Sequence, residues 1–243
     1  MLHTGTRLRL SYDWDEALLA EWALAPRDLV DAGQITEELY VTEWRRLNNF
    51  VRNTIGGQLP KLGGKGMRIE IPGHGLLRDL PWVPRAVRMG YEVGMTDGSL
   101  VACFAARIWL RHQSRLSKKE SQQVVIRHAL IEEAWETGAI DESKTVAYYA
   151  GQFIQNQDPD IMHDMMERMG RFVGLPGRVV WLLHPLGEDN DPEKVQWRHT
   201  IPYTEAELRE PLEAGLGGKV AMDVLGKHDH YHQHYTLFRI TRA

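Results

Sequence analysis

The sequence predicts an α+β protein in which a helical N-terminal two-thirds packs on a small C-terminal antiparallel sheet. Two observations predict it. Apolar residues recur at three-to-four spacing through most of the first 173 residues, and beyond Gly174-Leu175-Pro176-Gly177 the pattern shortens to strand-like runs. The expected division is therefore a mainly helical region over 1–173 and a β-rich region over 174–243, with no long linker between them.

In order along the chain, Asp13-Trp14-Asp15-Glu16 starts a helix through Leu24, stopped by Pro26. A second helix begins at Thr36, carries Leu39, Tyr40, Trp44, Leu47, Phe50, Val51 and Ile55, and ends at Gly56-Gly57. The basic loop 56–66 precedes a short strand from Met67 to Ile71. It fails as a phosphate-binding P-loop, because Gly57 to Gly64 is too long a spacing and Gly66 follows Lys65 where a hydroxyl is needed. A helix spans about 99–116. The capping box Ser117-Lys118-Lys119-Glu120 opens another to Trp135 and Thr137, and further helices cover about 141–156 and 159–172. The last of these has Asp158 as N-cap and Pro159 at the first position. Strands then fall at Arg178–Leu183, Val195–Ile201, Lys219–Leu225 and His228–Thr241. The last two form a hairpin through Gly226-Lys227, and Thr204-Glu205-Ala206-Glu207 caps one more helix.

Charge is segregated. The net charge is −4, yet between Arg45 and Arg127 there are 15 Lys/Arg and 5 Asp/Glu, so that stretch carries +10 and the remainder −14. Arg107, Arg111, Arg115 and Lys119 fall at four-residue steps, and on one continuous helix they line a ridge about 18 Å long. Arg45, Arg46, Arg52, Lys61, Lys65, Arg85 and Arg88 widen the patch if the fold gathers them. Guanidinium forks suit phosphate, so the expected partner is a DNA or RNA backbone. The alternative for this face is a solvated surface, or one paired with acidic flanks.

His228, His230, His232 and His234 alternate along one stretch. In a strand they share a face, their roots about 7 Å apart, and two such rings can hold a divalent transition metal such as zinc. His184, His199 and Glu188 are candidates to complete a ligand set. No His-Glu-x-x-His motif is present. Packing, interface use and acid–base work are the other uses of such a tract. Asp160, His163, Asp164 and Glu167 lie on neighbouring faces of one helix without the second carboxylate-x-x-His pair of a di-metal bundle.

The single cysteine, Cys103, excludes an intrachain disulfide. There is no run of about 18 apolar residues and no apolar N-terminal stretch, which points to a cytoplasmic protein without integral membrane association. The function expected from these features is a non-catalytic, nucleic-acid-backbone-binding subunit of a nucleoprotein assembly with other protein subunits as partners. The alternatives are a metal-dependent enzyme with its site on the His228–His234 strand, and a structural interaction subunit. No cofactor is certain from sequence.

Overall fold

The computed structural model describes residues 37–75, 80–112, 114–151, 153–190, 201–230 and 233–243. The expected helix over 13–24 and the expected strand over 195–201 lie largely or wholly outside these residues.

The described chain builds one seven-stranded sheet: β1 (Arg68–Pro72), β2 (Glu92–Asp97), β3 (Val124–His128), β4 (Thr145–Gly151), β5 (Val179–Pro185), β6 (Val220–His230) and β7 (Gln233–Arg242). Their spatial order is β3-β2-β1-β4-β5-β7-β6. The first five are mutually parallel, with Ile71 opposite Met95 and Tyr149 opposite Trp181. β7 returns antiparallel beside β5, with Leu182 opposite Phe238, and pairs with β6.

The helices are α1 (Glu37–Gln58), α2 (Val83–Arg88), α3 (Leu100–His112), α4 (Lys118–Ser121), α5 (Ile131–Glu136), α6 (Pro159–Val173) and α7 (Glu205–Leu216). The pleat sends alternate strand residues to opposite faces. Trp181 and Leu183 pack with Leu47, Val51 and Ile55 of α1 and Val83 and Val87 of α2, whereas Val180 and Leu182 pack with Met165, Met169 and Phe172 of α6 and Leu208 and Leu212 of α7. The result is a doubly wound, three-layer α/β structure.

This corrects the expected fold class. β4, Thr-Val-Ala-Tyr-Tyr-Ala-Gly, is buried at every position and lies where a helix over 141–156 was expected. A strand covered on both faces reads as a continuous apolar run, and in so short a run helical spacing is satisfied by accident. The capping box at Ser117 is present, but α4 lasts 4 residues before the β-branched run Val124-Val125-Ile126 enters the sheet as β3. β2 was not foreseen at all. The expectations that hold include the helix from Thr36 to the Gly56-Gly57 pair, the strand beginning near Met67, the helix starting near residue 99, the helix opened by Pro159, the strand over Arg178–Leu183 and the box formed by Thr204 and Glu207.

α6 and α7 meet through glycine. A Cβ on Gly215 would stand 1.8 Å from the Glu167 carbonyl oxygen, and one on Gly170 would stand 2.1 Å from that of Leu212. Both obstacles are backbone, so Gly215→Ala forces the helices apart. It is expected to lower stability by roughly 1–3 kcal/mol, read from urea unfolding. No described helix is long and apolar enough to cross a membrane.

Candidate functional site

In an open α/β sheet the ligand crevice lies beyond the carboxyl ends of the strands, where successive crossovers leave in opposite directions. Here that point is between β1 and β4, because β2 and β3 lie on one side of β1 and β4 and β5 on the other. β1 ends in Pro72-Gly73-His74-Gly75. Gly73 has φ +59, and a Cβ there would stand 1.8 Å from the Phe153 ring, which follows β4. Only glycine meets both demands. The Gly73 amide donates to the Thr96 carbonyl at 2.8 Å, tying the turn to β2.

Asp97 closes β2. Its Oδ2 accepts from the Gly75 amide at 2.8 Å and its Oδ1 from the Ser99 amide at 2.8 Å. Ser99 in turn accepts from Ala102 at 3.0 Å and opens α3. A carboxylate has about four lone-pair sites, so Asp97, only partly buried, keeps two for a ligand. Gly75, at φ +50, has nothing among the described residues within 4 Å of its would-be Cβ, which leaves its backbone open to close approach on that side.

His74 points inward. Its Nδ1 lies 3.0 Å from the Gly75 carbonyl oxygen, which fixes the proton there, and its Nε2 lies 4.0 Å from Cys103 Sγ. Burial lowers its pKa against the opposing pull of Asp97 and the Gly75 bond, so it is neutral at pH 7.

Beneath the crevice Glu70, wholly buried in β1, receives the fork of Arg127: NH1 to Oε2 at 2.8 Å and NH2 to Oε1 at 3.2 Å. Arg68 NH1 lies 3.6 Å from Oε1. The carboxylate occupies the space beside Gly94, where a Cβ would stand 1.9 Å from Oε2. Its net effect is to anchor β1, β2 and β3 in register below the turn.

At the end of β5, His184 is fully buried, accepts from the Tyr203 amide through Nε2 at 3.1 Å and stacks on the Tyr203 ring. Burial pushes its pKa down to about 3. The unfolded chain therefore takes up a proton near pH 6.5 that the folded chain refuses. Stability is full above that pH and falls as pH drops toward 3, by up to about 1.4 kcal/mol per pH unit. His184→Gln keeps an acceptor for Tyr203, and it should flatten part of this slope in urea titrations at pH 7 and 4.5. His74, its pKa also lowered by burial, contributes in the same direction.

The sequence-predicted residues lie elsewhere. α3 ends at His112, Arg115 follows at φ +56 and Lys119 belongs to α4, so the ridge of Arg107, Arg111, Arg115 and Lys119 does not form. Arg88 donates to the Arg115 carbonyl at 2.7 Å and lies 3.5 Å from Glu120. Arg45, Arg46 and Arg52 are exposed on α1, Lys61 and Lys65 before β1, and Arg85 on α2. They are spread over several elements.

The histidine tract straddles a hairpin tip, not a single strand. β6 ends at His230 and β7 begins at Gln233, and Gly226 marks a bulge within β6 where the turn was expected. His228 stacks on Phe50 at 5.2 Å, and His234 Nδ1 lies 2.7 Å from Asp229 Oδ1 across the ladder. His232 and His199 fall outside the described residues, and Glu188 accepts from the Glu205 amide at 2.9 Å. Among the described residues, His163, Asp164 and Glu167 of α6 bring possible ligand atoms within 4.8 Å of one another, and Glu167 is also paired with Arg171. Sequence reasoning missed Asp97 and the Gly73–Gly75 turn. The available signal was Gly-x-Gly directly after a strand, with an acidic residue 22 positions on.

No protein-family model matches the sequence, and no curated protein does. Solved structures do match. The methyltransferase domain of a bacterial Hen1 (CtHen1) superposes with a TM-score of 0.56 at 15% identity, covering 80% of this chain and 99% of that one. The bifunctional kinase-methyltransferase WbdD gives 0.55 at 13% identity over 82% of this chain, which spans only 39% of that protein's length. The O-methyltransferase NcsB1 from neocarzinostatin biosynthesis, solved with S-adenosyl-L-homocysteine and 1,4-dihydroxy-2-naphthoic acid, gives 0.50 at 15% identity over 98% of this chain and 70% of that one. At such identities the likeness establishes the fold. Together with the broken basic ridge it overturns the expected non-catalytic, nucleic-acid-binding subunit, and the split histidine tract removes the strand on which the metal-enzyme alternative was built. What this chain shares is the architecture of methyltransferase structures.

Proposed function

We propose that this chain is a methyltransferase that takes S-adenosylmethionine as its cofactor at the carboxyl edge of the sheet. The observation that carries the reading is Asp97, an acidic side chain at the end of β2, 2.8 Å from the glycine turn that ends β1. In dinucleotide-binding sheets an acidic residue about 20 positions after the glycine turn holds ribose hydroxyls, and S-adenosylmethionine carries the same adenosine ribose. The residues fit: Asp97 retains two acceptor sites, and the open Gly75 backbone admits a ligand that a side chain would exclude.

When bound, S-adenosylmethionine supplies a methyl group carried on a positively charged sulfur. The chain's own residues bind and orient. Asp97 would hold the ribose, while Phe153 packed on Gly73 walls the crevice toward β4. His74, held neutral by burial, places no cation beside the turn to oppose a cationic ligand. The buried thiol of Cys103 suits a reducing, cytoplasmic setting.

The test is calorimetric titration of the full chain with S-adenosylhomocysteine. Saturable one-to-one binding is expected. No saturable binding at millimolar ligand overturns the reading.

A further inference from the structure

One face of α3 is apolar and uncovered among the described residues. Leu100, Phe104 and Ile108 are 52%, 62% and 43% exposed and stand at four-residue steps, so they share one side of the helix. Ala102, Cys103 and Ala106 are buried on the other side, where Cys103 Sγ lies 3.3 Å from the Arg127 carbonyl oxygen of β3. In projection the exposed apolar residues span about 80°, with Arg111 inside that arc and Arg107 about 20° outside it. Both arginines are exposed, and neither has an ion-pair partner among the described residues.

The surrounding charge is of one sign. From Leu100 to Lys119 there are five Lys/Arg and no Asp/Glu. All five, Arg107, Arg111, Arg115, Lys118 and Lys119, are exposed, although no single ridge gathers them. A second copy placed on this face by a two-fold axis would set Arg107 and Arg111 against their own kind, with no anion nearby to separate them. Cations spread over two helices and the turn between them, without an anion to fix a register, suit a fluid surface of like headgroups better than a protein epitope.

We infer that α3 docks the protein on an anionic lipid surface. Leu100, Phe104 and Ile108 enter the acyl boundary, while Arg107 and Arg111 lay their apolar stems along the same ridge and fork onto headgroup phosphates. The contact is peripheral: α3, at 13 residues, lies in the interface and does not cross it. The attraction draws on the positive surplus between Arg45 and Arg127, which the crevice does not use. The inference stands independently of the cofactor reading, since neither the lipid contact nor its test involves the crevice.

Flotation of the full chain with phospholipid vesicles, without cofactor, tests it. Binding to mixed phosphatidylcholine–phosphatidylglycerol vesicles is expected to be about tenfold tighter or more than to phosphatidylcholine alone, because each cation near an anionic surface adds to the attraction. Raised salt should weaken it. Phe104→Glu/Ile108→Glu should reduce the binding about tenfold or more, and Arg107→Gln/Arg111→Gln should remove most of the preference for the anionic vesicles. The four side chains are exposed, so both variants should melt with the unaltered chain, which controls for folding. Binding that is absent in the unaltered chain, equal on the two kinds of vesicle, or indifferent to the α3 substitutions overturns the inference. So does a dimer in light scattering that Phe104→Glu/Ile108→Glu breaks, which assigns the face to a second copy.

Discussion

Glu70→Leu is expected to destabilise the protein by about 3–5 kcal/mol, because it leaves the Arg127 fork without its carboxylate, and Arg127→Met by less, because Arg68, 3.6 Å away, still faces the buried Glu70. Glu70 is 0% exposed, and the Arg127 side chain 12%. Arg127 also reaches Thr96 Oγ1 at 3.2 Å, so its loss disturbs β2 as well. Removing both charges together should be far milder than the sum of the two single changes, since apolar pairs of similar volume commonly replace a buried ion pair at little loss. Urea unfolding of the two single variants and the double variant reads this directly. If the double variant loses as much as the two singles added, the pair is not coupled as its two-pronged geometry requires.

Asp97→Ala should weaken S-adenosylhomocysteine binding by roughly 10- to 100-fold or more. Each hydrogen bond to a charged acceptor contributes about 1.5–3 kcal/mol, and two hydroxyls are at stake. The substitution also releases the Gly75 and Ser99 amides. A stability loss of about 1–2 kcal/mol should therefore accompany it, of the size seen when a helix cap is removed. Asp97→Asn separates the two effects: it keeps one acceptor oxygen for the backbone and lacks the charge. Binding that falls in the Asp97→Asn variant with stability nearly intact assigns the carboxylate to the ligand. Equal binding by the unaltered chain and both variants removes Asp97 from the site.

What the sequence disclosed was local. Boxes with a reciprocal side chain, Ser117 with Glu120 and Thr204 with Glu207, form as read because their geometry depends on four residues. The helix of Met162, Met165, Met166 and Met169 was legible because its outer face is charged, and polarity on one side is what makes helical period visible. β4 and β5 lack that contrast, since burial on both faces erases the alternation that marks a strand. Once β4 is read as a helix, the parallel sheet disappears from view, and with it the crevice. Asp97 and Gly73 stand 24 residues apart in sequence and meet only because β1 and β2 are neighbours. The arginines misled for a related reason: their four-residue spacing assumes a helix through Arg115, and the chain turns at that residue with φ +56.

Hydrogen exchange across the whole chain, with and without saturating S-adenosylhomocysteine, tests the location of the cofactor most directly. The account predicts slowed exchange at Gly73–Gly75 and at Asp97–Ser99. It predicts no change at the opposite edge of the sheet, where Gly174, Leu216, Gly217, Lys219 and Arg242 line a cavity of about 280 Å³. Protection at that cavity, or none at the Gly73 turn in a chain that binds the ligand, contradicts it.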